Sequence, residues 1–124
     1  MRIRRVRIRR VGLALVLAAI FAASCSKPDP TVRVSNERIP RFWKLEVQGA
    51  GFTPQHNISS HLRRPDGTEF PLLPILADGR GEFTHTIDTM ILNLGTYEVW
   101  VVDDASGKTS NRARFEVTYE YPPS

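Results

Sequence analysis

The sequence predicts an all-β domain, an antiparallel sandwich of about seven short strands. Three observations carry this. After Cys25 no window keeps helical spacing over ten or more residues. Short runs alternate apolar and polar side chains instead, as strands with one buried face do. Turn signals rich in Gly, Pro and Asp separate those runs at regular intervals, the pattern of a sandwich rather than of a parallel sheet. Residues 25–124 suffice for one domain and are too few for two. Cys25 is the only cysteine, so no internal disulfide supports the core.

Residues 1–24 are set apart from this pattern and read as an export signal. Residues 1–10 hold six arginines and no acid, which keeps that end on the cytoplasmic side. Residues 11–23 (VGLALVLAAIFAA) are uncharged and apolar. As a helix they reach roughly 20 Å, short of the ~30 Å hydrocarbon core, so a cleaved signal helix is favoured over a spanning one. Arg9-Arg10 raises the twin-arginine route, but the flanking residues fit it poorly and general secretion is expected. Small residues Ala22, Ala23 and Ser24 then lead into Cys25.

Ala22-Ala23-Ser24-Cys25 resembles a bacterial lipobox, departing at Ala22, where leucine is commonest. The resemblance implies a diacylated Cys25 thiol with palmitate-type chains, cleavage just before it, and a protein held on a membrane of the cell envelope. Several acyl chains, at about 0.8 kcal/mol per buried CH₂, hold a protein firmly. Ser26 in place of aspartate implies the outer membrane ahead of the inner in a Gram-negative cell. Membrane lipid through Cys25 is therefore the first expected partner.

Charge must be counted after the leader is set aside. The chain has 17 Lys+Arg against 13 Asp+Glu. Removing the six leader arginines leaves 11 basic residues against all 13 acids, a net of −2. A nucleic-acid binder needs its basic surplus in the folded domain, so no nucleic acid is expected as a partner.

Residues 25–40 read as the lipidated cysteine and a short tether, with residues 31–34 (TVRV) alternating as a first edge strand; the sandwich proper is expected over residues 41–121. Trp43, Leu45 and Val47 share one strand face, ending at Gly49-Ala50-Gly51, after which Phe52 returns to the core. Ile58, Ser60 and Leu62 share the next. Pro65-Asp66-Gly67-Thr68 is a turn. Pro71 and Pro74 confine residues 69–77 to edge strand or loop. Asp78-Gly79-Arg80-Gly81 turns into residues 83–87. Gly95 opens the clearest strand, where Tyr97, Val99 and Val101 alternate with Glu98, Trp100 and Val102. Phe115, Val117 and Tyr119 then alternate with Arg114, Glu116 and Thr118.

Gly49–Pro54 (GAGFTP), the turn at residues 64–67, Gly95-Thr96-Tyr97-Glu98-Val99 and Phe115-Glu116-Val117 resemble the immunoglobulin-like domains of bacterial surface proteins over residues 41–119. The resemblance implies an immunoglobulin-like sandwich in which Gly95 makes a sharp corner and the Tyr97 hydroxyl ties it to nearby backbone. Gln55 departs from the pattern, standing where a glycine usually follows the Phe-x-Pro element.

No catalytic residue is expected, and the chain reads as no enzyme. It has no Gly-x-Ser-x-Gly, His-Glu-x-x-His, phosphate-binding loop or paired-cysteine signature. His56, His61 and His85 lie on separate elements, His85 with core parity between Phe83 and Ile87. Asp103 and Asp104 with Asp78 or Asp66 offer oxygens of the kind calcium takes. Turns call for aspartate on backbone grounds alone, so no metal and no cofactor is expected.

Trp100 is the main candidate for binding. With Tyr97, Val99 and Val101 facing the core, it points outward from mid-sheet. Immunoglobulin-like order sets His61 and Arg63 on one side and Arg112 and Arg114 on the other. Such a patch suits a sugar ring or an acidic segment of an envelope protein; the alternative is that Arg stems cover the indole. Three readings follow: a non-catalytic envelope interaction or structural module, a carbohydrate-binding lipoprotein with an envelope glycan as partner, and a hydrolase with an unfamiliar site. Oligomeric state is not readable from the residues.

Overall fold

Eight strands form along the chain in the computed structural model, which describes residues 28–119. They are β1 (Thr31–Val34), β2 (Arg38–Pro40), β3 (Lys44–Ala50), β4 (Asn57–Arg63), β5 (Leu73–Leu76), β6 (Phe83–Asp88), β7 (Gly95–Asp103) and β8 (Ala113–Thr118). A single 3-10 turn, Thr89–Ile91, follows β6. The expected export leader, Cys25 and Tyr121 lie outside the described residues.

The strands divide into a three-stranded sheet, β1-β3-β6, and a five-stranded sheet, β2-β8-β7-β4-β5. Every pairing is antiparallel except β2 with β8. The first edge segment is thus shared between the sheets, β1 against β3 and β2 parallel to the last strand. This is an immunoglobulin-like sandwich. Splitting the first segment in two accounts for eight strands where about seven were expected.

Period-2 patterning explains the core. In β7, Tyr97, Val99 and Val101 are buried, and beside them in β8 so are Phe115, opposite Tyr97, and Val117, opposite Gly95. Ile58 of β4 joins them on the same sheet, and Leu45 and Val47 of β3 with Phe83 and Ile87 of β6 form the facing layer. The Tyr97 and Phe115 rings stack with centroids 5.4 Å apart. The Tyr97 hydroxyl donates to the Asn93 carbonyl at 2.9 Å, forming the corner that the resemblance implied. Gly95 has φ +136°, and a Cβ there would meet Pro65 Cγ at 2.6 Å, so only glycine lets the β4–β5 turn pack on the corner.

Two expectations are corrected. Residues 31–40 are not a tether outside the sandwich: Val32 and Ile39 are core residues, and Ile39 is fully buried. Trp43 does not share the inner face of Leu45 and Val47. Phe42 adopts φ +77°, breaking the alternation just before β3 begins at Lys44, and Trp43 is 58% exposed. A left-handed residue reverses chain direction locally, so the parity of the strand cannot be extended back through it.

Candidate functional site

The outer face of the five-stranded sheet carries the residues singled out from sequence. Alternation in β7 puts Thr96, Glu98, Trp100 and Val102 outward. His61 on β4 lies directly opposite Trp100, and Arg63 opposite Glu98. On the other side Arg114 of β8 opposes Glu98, and Arg112 sits just before that strand. All five residues, Trp100, Arg63, Arg114, His61 and Arg112, therefore come to one face.

Trp100 itself does not face solvent, which corrects the expectation: it is 7% exposed. The His61 ring stacks on it in parallel, centroids 5.3 Å apart, and the Arg112 guanidinium lies 3.9 Å from its centroid. Because β4 and β8 flank β7 on opposite sides, the indole is held between the two. The guanidinium and imidazole cover the indole surface on which a sugar would stack.

Carboxylates also meet the basic side chains of this face. Glu98 lies between Arg63 (3.9 Å) and Arg114 (3.7 Å), Arg38 Nε meets Glu116 at 3.0 Å, and His61 Nδ1 is 3.5 Å from Glu69. Exposed pairs of this kind contribute only about 0–1 kcal/mol each. They nonetheless cancel the basic character on which an acidic partner would depend. The Ser59 hydroxyl, on the same face as His61, donates to Asp104 rather than to the imidazole.

The aspartates act as turn staples. Asp66 accepts from the Thr68 hydroxyl and N–H, which hold its carboxyl below the usual range. Asp78 accepts from the N–H groups of Glu82 and Arg80, with the same result. Burial pushes the Asp103 carboxyl up, but hydrogen bonds from Thr53, Ser106 and Ala105 outweigh it and leave the pKa lowered. Asp103 thereby ties the Phe52-Thr53-Pro54 element to the end of β7. Its core parity, in register with Val99 and Val101, was the signal for this role. Among the described residues no group of three His, Cys, Asp or Glu is placed to hold a metal ion. His56 is exposed with Nδ1 2.9 Å from the Pro54 carbonyl, and His85 is half-buried on the inner face of β6.

A feature that strand reasoning missed lies at one end of the sandwich. Phe42, Trp43, Met90, Ile91, Leu94 and Tyr119 are all between 41% and 72% exposed. The three segments that carry them are fastened together there. Trp43 N–H donates to Pro40 O, Thr89 N–H and hydroxyl donate to Trp43 O, and Arg41 N–H donates to Thr118 O. A groove of about 710 Å³ opens beside them, lined by Pro40, Leu94, Val117 and Tyr119 among others. The chain enters at the opposite end, where Thr31 pairs with Ala50. The sequence signal was available in Phe42-Trp43 and Met90-Ile91, adjacent apolar pairs that no single strand face can bury.

No family model matches the chain, and no curated protein matches it. Two solved domains are similar to it in structure. One is the CARDB domain of a Pyrococcus furiosus protein, determined in complex with di-metal ions: 14% identity, 75% of this chain and 90% of that one, TM-score 0.47. The other is the PKD domain of an M14-like peptidase from a Thermoplasmatales archaeon: 19% identity, 77% of this chain and all of that one, TM-score 0.43.

Proposed function

We propose that the mature chain is a membrane-anchored envelope lipoprotein whose sandwich serves as a non-catalytic interaction module. The observation that supports this most directly is the polarity of the domain. The leader side of the chain joins one end at Thr31, and the exposed apolar side chains gather at the other. The leader and lipobox-like Ala22-Ala23-Ser24-Cys25 supply the address, with lipid on Cys25 as the anchor. From Cys25 to Pro30 the leash spans at most about 20 Å.

Carbohydrate binding through Trp100 is not carried forward, because a sugar would have to displace Arg112 or His61 from the indole. Intact mass of the protein extracted from membranes tests the address. The expected species lacks residues 1–24 and carries added acyl mass. A chain that still begins at Met1, or carries an unmodified Cys25, overturns the anchored reading.

A further inference from the structure

The apolar end has the size and the charge arrangement of a self-complementary contact, and we propose that it pairs with the same end of a second copy of this chain. Aromatic side chains bury 150–250 Å² each, so the exposed parts of Phe42, Trp43, Tyr119, Met90, Ile91 and Leu94 amount to roughly 500–600 Å² per copy. That is the upper end of the largest apolar patch on an ordinary monomer. Two such patches together bury about 1,000–1,200 Å², enough to clear the lower bound for a specific interface.

Charge selects a copy of this chain as the occupant. Lys44 and Asp88 stand side by side across the β3–β6 ladder at the edge of the patch, both on the outer face. No ion pair joins them among the described residues; Asp88 instead caps the 3-10 turn by accepting from Met90 N–H. A two-fold axis through the patch sets each Lys44 against the partner's Asp88. One rotation then satisfies apolar surface and charge alike, as an isologous interface requires. The tether ends lie outermost in such a pair, so two copies on one membrane pair while lying along its surface rather than upright. The pairing rests on the anchored-module reading for its local concentration, since copies confined to one membrane meet more often than copies in solution.

Cysteine trapping in native membranes tests the proposal with the full chain. Ile91→Cys adds one exposed thiol at the apolar end, and Thr84→Cys adds one on the outer face of β6 nearer the opposite end. Mild oxidation should convert Ile91→Cys, but not Thr84→Cys, to a reducible species of twice the mass. Adding Trp43→Asp or, separately, Met90→Lys to Ile91→Cys should lower its yield roughly tenfold, the effect of placing a charge in an apolar contact. Both positions are exposed, and near-UV circular dichroism of the Trp100 stack confirms the fold of each variant. Absence of the doubled species, equal trapping at Thr84, or an adduct with a different protein overturns the pairing. The unsubstituted chain separates the two readings. Dimer formation through Cys25 itself shows a free thiol and overturns the anchor, whereas a silent parent with an untrapped Ile91→Cys overturns the pairing alone.

Discussion

Gln55 holds φ +60° while its N–H donates to the Asp78 carbonyl at 3.0 Å. A side chain in the left-handed region costs about 1–2 kcal/mol, a strain that glycine avoids. Gln55→Gly should therefore raise stability by about 0.5–1 kcal/mol, glycine's greater freedom in the unfolded chain offsetting part of the relief. Urea denaturation reads this directly, and a lower midpoint would show that the Gln55 side chain does more than tolerate its backbone. His85 supplies a second residue-level test. Burial holds its pKa below the ordinary 6.5. The unfolded chain then binds the proton more tightly, so stability is full above about pH 6.5 and is lost as pH falls through the folded value. His85→Gln should flatten the stability profile just below pH 6.5. The lowered carboxyls of Asp66, Asp78 and Asp103 act in the same direction at more acid pH, below the ordinary 3.8.

At the scale of elements, β2 is the informative strand. It has only three residues, yet it carries a fully buried Ile39 and pairs in parallel with β8. A tether would tolerate any substitution there. A core strand would not: Ile39→Ala should cost about 2–4 kcal/mol, a large part of a small domain's total. A loss below about 0.5 kcal/mol in chemical denaturation would return residues 31–40 to the tether. The proline-marked edges follow similar logic. β5, with Pro71 before it and Pro74 inside it, lies at the margin of its sheet, where a missing N–H costs least.

Over the whole molecule, the two tryptophans report opposite things. Trp100 is locked in the sheet face between His61 and Arg112, while Trp43 projects from the apolar end. At concentrations low enough to keep copies apart, iodide should quench the Trp43 component of the fluorescence strongly. In Trp43→Phe the remaining emission should be blue-shifted and resistant to iodide. Quenching that persists in that variant would mean the Trp100 stack opens in solution and would restore it as a ligand surface. The contrast also separates a charge-balanced sheet face from an apolar end.

Some of this was settled by residue order alone. Sandwich class and the alternation of β7 and β8 were legible because strand parity and turn chemistry are local, set by neighbours one to four residues away; the Tyr97 corner was legible as what the resemblance implied. The leader and Cys25 were likewise legible as an expected address, since that pattern is linear. Sequence also placed His61, Arg63, Arg112 and Arg114 around Trp100, because immunoglobulin-like strand order fixes who neighbours whom. Only tertiary structure decided that Trp100 is covered, that Ile39 belongs to the core and that Trp43 turns outward. Exposure is a property of what packs above a side chain, and here those atoms come from strands as far as 39 residues away, from His61 to Trp100. The apolar end was hidden for the same reason: its side chains come from three separate segments that only the folded chain fastens together.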